Sequence, residues 1–423
     1  MRVEPVAALE GHFAVPGDKS ISHRALLLGA VSEGETVVRG FGRSGDTAST
    51  LQAVRALGTP VDDDGETLVV HGVGLRGLRP ATIDCGNAGT LARLVSGLLA
   101  FQEGTFTLTG DASLSSRPME RVAEPLRRMG ASVETTDGRL PMTITGAPRL
   151  HGIEYAPLVA SAQLKSAVLL AGLGGDDRTT VIELTPTRDH TELMLRDAGA
   201  RVTNRSTSVS VDPPERLRLP SVDVPGDFSS AAPFIAAATL IPESRLTIHD
   251  VNLNPRRTGL LAVLERMGAR VGIVARRRIG AEPAGDLEVR YAPLTATTVE
   301  PDEVPLLVDE LPLFALLAAH AHGRSRVRGA DELRHKETDR IAAVVDNLRA
   351  LGVRARATED GFTVTGVPAR PRGGKVDSRG DHRIAMLGAV AGLSSREGVE
   401  IENAEAVAVS FPGFFDLLAQ LSR

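Results

Sequence analysis

The sequence contains a single cysteine, Cys85, among 423 residues, no tryptophan and only two tyrosines. One cysteine excludes a disulfide within the chain and any cysteine-rich zinc site, and it is typical of a reducing cytosol. No apolar run approaches the roughly 20 residues that a helix needs to cross a bilayer. The first fifteen residues have no apolar core, so we expect no signal peptide. We therefore expect a cytoplasmic protein without a membrane-spanning segment.

The chain also lacks a strong net charge, because positive and negative side chains nearly balance. The formal net charge is −5, with 24% charged and 42% hydrophobic residues. These values are ordinary for a globular protein and give no indication of a nucleic-acid or membrane partner. The ten histidines include no HExxH pair, so we expect no metal site. The length suggests two or three domains.

Internal repetition is the most informative feature. Similar segments such as LRRMGASV and LERMGARV combine the end of a helix, a glycine and a strand-like run. They recur about every 70 residues, which divides the chain into six units. We expect the N-terminal strands in MRVEPVAALEGHFAVPG to complete the last unit. The predicted lobes are then residues 16–222 and a discontinuous lobe of 1–15 and 223–423.

Each unit also contains an Ala-rich helix that is apolar nearly all round and should be buried. The helix starts read DKSIS, GNAGT, SAQ, GDFSS, VDELP and RGDHR, most of which carry Ser, Asp or Asn where an N-cap belongs. Three parallel helices in each lobe would present three N-termini to one face. Two such faces would enclose a cleft that suits anions.

Eight cations lie in or near these helix starts: Lys19, Arg24, Arg93, Arg117, Arg188, Lys336, Arg340 and Arg383. The segment ELRHKETDRI reads as a helix, which would place Lys336 and Arg340 one turn apart, where like charges repel. Such a cluster suggests phosphate and carboxylate ligands, with Asp309 and Glu337 available for acid–base chemistry. The alternative is that each arginine is a capping or surface residue.

Several motifs resemble those of the 5-enolpyruvylshikimate-3-phosphate synthase family, the 3-phosphoshikimate 1-carboxyvinyltransferases. They are VPGDKSISHRALLLGAV, CGNAGTLARL, SRPMERV, SAQLKSAVLLAGL, PTRDHTELML, ELRHKETDRI, GDHRIAM and SFPGFF, and the match runs from residue 1 to residue 423. The resemblance implies an α/β fold, a two-lobed inverse α/β barrel of six βαβαββ units, three per lobe, with pseudo-threefold symmetry. It also implies a glyphosate target that acts as a monomer without metal or organic cofactor.

The reaction implied by the resemblance transfers the enolpyruvyl group of phosphoenolpyruvate to the 5-hydroxyl of shikimate 3-phosphate. The implied catalytic residues are Asp309, Glu337 and Lys19. The implied shikimate 3-phosphate site consists of Lys19, Ser20, Arg24, Ser161, Ala162, Gln163, Arg188, Asp309 and Lys336. The implied phosphoenolpyruvate site consists of Lys19, Asn87, Gly89, Arg117, Gln163, Arg340 and Arg383.

Three positions depart from the best-known form of the family and resemble its class II branch. Asp18 replaces a common serine, and its charge must point away from bound phosphate. Val409 stands where a lysine is often found. Arg188 stands where other members have a tyrosine-containing stretch, and we infer that it binds the 3-phosphate.

Three other functions can be weighed against this one from features of the sequence. A UDP-N-acetylglucosamine enolpyruvyl transferase typically carries a reactive cysteine in the loop that here reads TGDASLSSRPME, which has none. A P-loop enzyme would need glycine directly before Lys19, where Asp18 stands. A non-catalytic anion-binding scaffold would need neither Asp309 nor Glu337.

Overall fold

The structure is a computed structural model that describes residues 1–366 and 370–423. The helices in these ranges are α1 (Lys19–Ala30), α2 (Gly45–Ala56), α3 (Gly89–Leu99), α4 (Ala112–Ser115), α5 (Glu120–Arg128), α6 (Ala162–Gly172), α7 (His190–Asp197), α8 (Phe228–Leu240), α9 (Gly259–Met267), α10 (Val304–Leu307), α11 (Leu311–His320), α12 (Arg340–Ala350), α13 (His382–Ser394) and α14 (Phe414–Leu421). Two 3₁₀ helices span Asp331–His335 and Ala404–Val409.

The strands of the described ranges are short, mostly two to seven residues long. They are β1 (Arg2–Val3), β2 (Glu10–Ala14), β3 (Glu33–Arg39), β4 (Val61–Asp63), β5 (Thr67–Val73), β6 (Thr82–Asp84), β7 (Thr105–Thr109), β8 (Ser132–Thr136), β9 (Arg139–Thr145), β10 (Glu154–Tyr155), β11 (Thr179–Ile182), β12 (Val202–Asn204), β13 (Ser208–Val211), β14 (Ser221–Asp223), β15 (Arg245–Asn252), β16 (Arg270–Ile279), β17 (Glu282–Arg290), β18 (Thr298–Val299), β19 (Arg324–Val327), β20 (Arg354–Thr358), β21 (Gly361–Thr365), β22 (Gly374–Asp377) and β23 (Val399–Glu402).

These strands form six small sheets, one for each predicted repeat. The sheets have the orders β14-β3-β5-β4, β6-β7-β9-β8, β10-β11-β13-β12, β16-β17-β15-β2, β18-β19-β21-β20 and β1-β23-β22. The second sheet shows the pattern: β6 pairs in parallel with β7, and the hairpin strand β9 pairs antiparallel with both β7 and β8. The prediction of six repeats is confirmed.

The six Ala-rich segments form helices α1, α3, α6, α8, α11 and α13, whose side chains are almost wholly buried. Four of these helices begin at a predicted N-cap whose side chain accepts a backbone N–H: Asp18, Ser161, Asp227 and Asp381. Helices α3 and α11 begin without a side-chain cap. In the described ranges, no helix is both long and apolar enough to span a bilayer.

The N-terminal strands join two different repeats. Strand β1 pairs antiparallel with β23 of the last repeat, as predicted. Strand β2 instead pairs in parallel with β15 of the fourth repeat, so the prediction that both strands complete the last repeat is wrong for β2. Phe13 stabilises β2 in this position. The centroid of its ring lies 4.9 Å from that of Phe234 on α8, the buried helix of the fourth repeat.

The chain divides into two compact units. Unit 1 consists of Met1–Pro16, Pro225–Arg278 and Pro283–Arg423, and unit 2 consists of Gly17–Val224 and Ile279–Glu282. Each unit has its own cluster of buried hydrophobic residues. Within unit 1 the helices α8, α11 and α13 pack against one another, and within unit 2 the helix α3 packs against α1 and α6. The starts of these helices carry most of the predicted site residues.

Gly97 sets the distance between α3 and α6. A Cβ at this position would lie 2.2 Å from the carbonyl oxygen of Ala167, which is backbone and cannot turn aside. Glycine at this helical position therefore lets the two buried helices approach more closely than alanine would allow. Because α3 and α6 also begin at predicted site residues, their spacing matters beyond the core.

We predict that Gly97→Ala lowers the free energy of unfolding by about 1–3 kcal/mol, the usual cost of overpacking a core. This reverses the gain of about 0.5–1 kcal/mol that Gly→Ala gives in an unconstrained helix. Thermal unfolding followed by circular dichroism measures the effect. Gly272→Ala is the control, because a Cβ there meets nothing nearer than 4.0 Å. An unfolding midpoint for Gly97→Ala at or above that of the unaltered protein would contradict the prediction.

Candidate active site

In unit 2, Arg24 lies buried in α1 and its guanidinium is held from three sides. Nε donates to Thr191 Oγ1 at 2.7 Å, and Nη2 donates to Ser166 Oγ at 2.9 Å. Nη1 donates to the carbonyl of Ser20 at 2.8 Å. The hydroxyls of Ser166 and Thr191 lie 2.7 Å apart. These contacts fix the plane of the guanidinium beside the start of α1.

The charges around Arg24 are balanced so that it stays protonated. Burial lowers the pKa of Arg24 to about 10, while the Glu192 carboxylate raises it and the charge of Arg188 lowers it further. Burial, together with the charges of Lys19 and Arg24, holds the pKa of His23 well below its usual range. At neutral pH Arg24 therefore carries a charge and His23 does not.

Lys19 and Asp18 occupy the start of α1. Lys19 is the first helical residue, and its Nζ lies 2.6 Å from Asp46 Oδ2. Asp18 is the N-cap, and its Oδ1 accepts the backbone N–H of Ile21 at 3.0 Å. The Asp18 carboxylate is thus directed at the first turn of its own helix.

The start of α3 gathers two further arginines. Arg117 Nη2 donates to Asn87 Oδ1 at 2.7 Å, and Arg93 Nη1 donates to Gln163 Oε1 at 2.7 Å. A Cβ on Gly89 would lie 2.9 Å from Arg93 Nη1 and 3.3 Å from Arg117 Nη1. The missing side chain of Gly89 therefore lets both guanidinium groups lie against the helix start.

The start of α6 lies beside that of α3. Ser161 is the N-cap of α6, and its hydroxyl accepts the N–H of Leu164 at 3.3 Å. Ala162 is the first helical residue. Gln163 Nε2 donates to Thr90 Oγ1 at 2.9 Å, so Gln163 ties the first turn of α6 to that of α3.

A buried lysine anchors the loop that carries Arg188. Lys165 Nζ lies 2.8 Å from Glu183 Oε1 and 2.7 Å from Glu192 Oε1. The backbone N–H of Thr187 also donates to Glu183 Oε1, at 2.8 Å. Both ends of the loop 183–189 are therefore tied to Lys165.

In unit 1, a second buried arginine collects three carboxylates. Arg340 Nε lies 2.8 Å from Asp381 Oδ2, Nη2 lies 2.7 Å from Glu337 Oε2, and Nη1 lies 3.3 Å from Asp309 Oδ1. Burial alone would lower the pKa of Arg340, but the three carboxylates, Asp381 first, outweigh burial and raise it. Arg340 is therefore a permanent cation that holds the two predicted acid–base groups.

The helix predicted over ELRHKETDRI is wrong in its middle. A 3₁₀ helix ends at His335, and α12 begins only at Arg340. Asp339 terminates the irregular stretch because its Oδ1 caps α12 by accepting the N–H of Ala342 at 3.0 Å. Lys336 and Arg340 thus do not share one helical turn. Burial lowers the pKa of Lys336, and the carboxylates of Asp309 and Glu332 oppose that shift.

A third buried arginine, Arg257, fixes the residue that follows Asp309. Its Nη1 lies 3.1 Å from Glu310 Oε1, and its Nη2 lies 3.3 Å from Asp227 Oδ1. Arg257 and Glu310 both bond to the Ser229 hydroxyl. Glu310 is fully buried and contacts Arg257, whereas the neighbouring Asp309 contacts Arg340.

Arg383, the last of the predicted cations, lies in the first turn of α13. Its backbone N–H donates to Asp381 Oδ1 at 2.8 Å, and its Nη1 donates to the carbonyl of Ser229 at 3.4 Å. The Asp381 carboxylate therefore accepts from both the backbone N–H of Arg383 and the side chain of Arg340. Val409 ends the second 3₁₀ helix.

The predicted site residues fall into two groups. Those in unit 2 lie at or near the starts of α1, α3, α6 and α7: Lys19, Ser20, Arg24, Asn87, Gly89, Arg117, Ser161, Ala162, Gln163 and Arg188. Those in unit 1 lie at the starts of α11, α12 and α13: Asp309, Lys336, Glu337, Arg340 and Arg383. Within the described residues, no group of three or more His, Cys, Asp or Glu side chains is placed to hold a metal ion.

Sequence reasoning missed the partners of these cations. The contacts of Asp46, Thr191, Asp381 and the Arg257–Glu310 pair are not predicted, although each contacts or supports a predicted residue. Asp381 is predicted only as the N-cap in the GDHR motif, not as a partner of Arg340. Thr191 lies within the PTRDHTELML motif and Glu310 within the helix start VDELP, but neither segment indicates which buried cation its residue contacts.

Cys85 is a buried side chain with no surface exposure. Burial, with a smaller effect from Asp84, raises the pKa of the Cys85 thiol to about 12. A thiol with such a pKa is almost entirely protonated near neutral pH, and the thiolate is the nucleophilic form. Cys85 therefore lacks the character of a reactive cysteine.

We predict that Cys85 in the folded protein resists 5,5′-dithiobis(2-nitrobenzoic acid) at pH 8, because burial both shields the sulfur and leaves about one thiol in 10⁴ ionised. The same reagent in 6 M guanidinium chloride should label one thiol per chain at once. Absorbance of the released thiolate measures both reactions. Rapid labelling of the folded protein would show that Cys85 is accessible and ionised.

The chain is similar to known proteins over nearly its whole length. The family model of EPSP synthase (3-phosphoshikimate 1-carboxyvinyltransferase) matches residues 3–418. The 3-phosphoshikimate 1-carboxyvinyltransferase of Lactiplantibacillus plantarum is 49% identical over 432 residues, which cover 100% of this chain and 99% of that protein. That of Acidithiobacillus ferrooxidans is 48% identical over 421 residues, covering 99% and 96%.

A solved structure agrees with these sequence matches. The structure of EPSP synthase from Acinetobacter baumannii superposes with a TM-score of 0.88 at 41% identity, covering 100% of this chain and 98% of that one. The shared fold, with the six small sheets described above, confirms the predicted inverse α/β barrel of six repeats.

Proposed function

We propose, because the chain belongs to the EPSP synthase (3-phosphoshikimate 1-carboxyvinyltransferase) family, that the polar clusters at its helix starts carry out that family's reaction. The activity is 3-phosphoshikimate 1-carboxyvinyl transfer in the shikimate pathway. The enolpyruvyl group of phosphoenolpyruvate passes to the 5-hydroxyl of shikimate 3-phosphate, and phosphate leaves. The observation that carries the residue assignment is buried Arg340, which holds two acid–base carboxylates, Asp309 and Glu337, at one point.

The proposed shikimate 3-phosphate site consists of Lys19, Ser20, Arg24, Ser161, Ala162, Gln163, Arg188, Asp309 and Lys336. Arg24 and Arg188 support this assignment, because they lie close enough for the charge of one to lower the pKa of the other. Two neighbouring guanidinium groups beside a helix start favour a phosphate ligand. Class II character, with Arg188 in place of a tyrosine-containing stretch, is part of this proposal.

The proposed phosphoenolpyruvate site consists of Lys19, Asn87, Gly89, Arg117, Gln163, Arg340 and Arg383. Gly89 supports this assignment, because its missing side chain leaves backbone N–H groups and two arginines at one helix start. Such a combination suits a phosphate or carboxylate group.

The proposed chemistry begins with addition. The 5-hydroxyl oxygen of shikimate 3-phosphate bonds to C2 of phosphoenolpyruvate, and Asp309 accepts the hydroxyl proton. Glu337 delivers a proton to C3, which turns the methylene group into a methyl group. Both carboxylates are fixed by Arg340, so neither must be oriented at the moment of proton transfer.

Elimination then completes the reaction. Glu337, now ionised, removes a proton from the methyl group, the C2–C3 double bond re-forms, and the bond from C2 to the phosphate oxygen breaks. Lys19 donates a proton to the departing phosphate and stabilises it by its charge, and the proton that Asp309 took from the 5-hydroxyl then restores Lys19. Side chains supply every proton transfer, so the proposal needs no metal or organic cofactor. The single buried cysteine supports a cytoplasmic location, and a monomeric state stays a prediction.

Phosphate release tests the function directly. The protein is mixed with phosphoenolpyruvate and either shikimate 3-phosphate or UDP-N-acetylglucosamine, and inorganic phosphate is measured over time. We expect release only with shikimate 3-phosphate. Release only with UDP-N-acetylglucosamine would assign the other enolpyruvyl transfer, and release with neither acceptor would contradict the enzymatic proposal.

We predict that Asp309→Asn and Glu337→Gln each lower kcat by at least about a hundredfold, since general acid–base groups typically contribute that much. Each amide can still accept a hydrogen bond from Arg340, so the fold should survive. Steady-state kinetics and thermal unfolding measure the two effects. The control is Asp302→Asn, an exposed carboxylate seven residues before Asp309, which should leave kcat unchanged. Unaltered turnover in either test variant would remove that residue from the mechanism.

A further inference from the structure

The hairpin of the fourth repeat, formed by strands β16 and β17, is divided between the two units. Strands β16 and β17 lie in unit 1 for most of their length, whereas the residues Ile279–Glu282 around their turn belong to unit 2. Gly280 adopts a φ of +56°, and a Cβ there would lie 2.6 Å from the carbonyl oxygen of Asp223. The turn is therefore seated closely against β14.

Glu282, the first residue of β17, makes a buried contact in this place. Its Oε1 lies 2.6 Å from Nδ1 of His190, and neither side chain is more than 2% exposed. In the tautomer that carries a proton on Nδ1, the ring donates a hydrogen bond to this carboxylate oxygen. In the part of the chain that the structure describes, His190 Nε2 is buried without a hydrogen-bond partner. Glu282 therefore provides the hydrogen bond that orients this ring.

His190 is the first residue of α7, and the two residues after it lead to the proposed phosphate site. Thr191 accepts from Arg24 Nε at 2.7 Å. Glu192 lies 2.7 Å from Lys165, which also anchors the loop that carries Arg188. The first turn of α7 thus positions Thr191 against Arg24, and it also fixes the end of the loop that carries Arg188.

Glu282 also acts on Arg24 through its charge. Its carboxylate is among the groups that raise the pKa of Arg24, together with Glu192 and Asp18. Glu282 is thus close to the cation as well as bonded to the helix that positions it. The contact with His190 connects a turn in the fourth repeat with the third repeat, and the effect of the Glu282 charge on Arg24 agrees with that placement.

We propose that Glu282 is a positioning residue for shikimate 3-phosphate: through His190 it fixes the start of α7 and so the Arg24–Thr191 contact. The proposal rests on the proposed function, because it assumes that Arg24 and Arg188 bind the 3-phosphate. Glu282 touches no reacting atom in this role. Its loss should weaken binding of one substrate and leave the other unaffected.

Two substitutions at Glu282 separate positioning from other effects. Glu282→Ala removes the acceptor of a buried hydrogen bond, and we expect at least about a tenfold rise in the KM for shikimate 3-phosphate. The KM for phosphoenolpyruvate should stay within about twofold of its original value. Glu282→Gln keeps an oxygen that accepts from Nδ1, so we expect it to retain most of the affinity. The matched control is Glu288→Ala in the same strand, a partly exposed carboxylate whose nearest cationic partner is Arg290 at 4.0 Å.

A second variant guards against a folding defect. His190→Phe fills the ring position but cannot bond to Glu282, and it should raise the KM for shikimate 3-phosphate as Glu282→Ala does. Thermal unfolding shows which variants are folded, and isothermal titration of shikimate 3-phosphate alone gives the binary affinity. Folded variants with unchanged affinity, or with equal rises in both KM values, would overturn the proposal. Glu282→Gln behaving as Glu282→Ala would do so as well.

The same assays keep this inference apart from the proposed function. If the unaltered protein releases no phosphate with shikimate 3-phosphate, the function itself fails. If the unaltered protein is active and Glu282→Ala matches Glu288→Ala, the function stands and only the role of Glu282 is wrong.

Discussion

The architecture of unit 1 depends on the neutralisation of Arg340. Burying a guanidinium is costly unless its charge is paired and its N–H groups are hydrogen-bonded, and Arg340 meets both conditions with carboxylates. Asp309, Glu337 and Asp381 come from three separate segments and meet at this one cation. The charge that makes Arg340 costly to bury therefore also determines where the proposed base and proton donor lie. The contacts that stabilise buried Arg340 are therefore the same contacts that hold the proposed acid–base groups.

The same principle recurs at neighbouring positions, where consecutive residues are tied to different buried cations. Asp309 forms an ion pair with Arg340, and Glu310 forms one with Arg257. Two ion pairs therefore fix the start of α11. In unit 2, Thr191 meets Arg24 while Glu192 meets Lys165. Polar groups fixed in this way need little reorganisation during a reaction, which is the main electrostatic advantage of an enzyme site.

Sequence reasoning succeeded where the signal is local or periodic. The glycine-ended repeats and the N-caps such as Asp227 depend on neighbours in the chain, and the structure has them. It failed for Lys336 and Arg340 because the cap at Asp339 ends the continuous helix that the pattern predicts. It could not identify Asp381 as a partner of Arg340, 41 residues away, because such pairing exists only once the chain is folded.

The fourth repeat shows how a repetitive fold acquires a contact that its pattern does not predict. Strands β16 and β17 have 10 and 9 residues, whereas β8 and β9 of the second repeat have 5 and 7. At about 3.3 Å per residue, the five additional residues of β16 add roughly 17 Å and the two additional residues of β17 add roughly 7 Å. The turn of this long hairpin, Ile279–Glu282, is the part of the fourth repeat that belongs to unit 2. Repeats that remain equivalent in their buried helices can thus differ in their hairpins, and the difference places Glu282 against His190, 92 residues away in sequence.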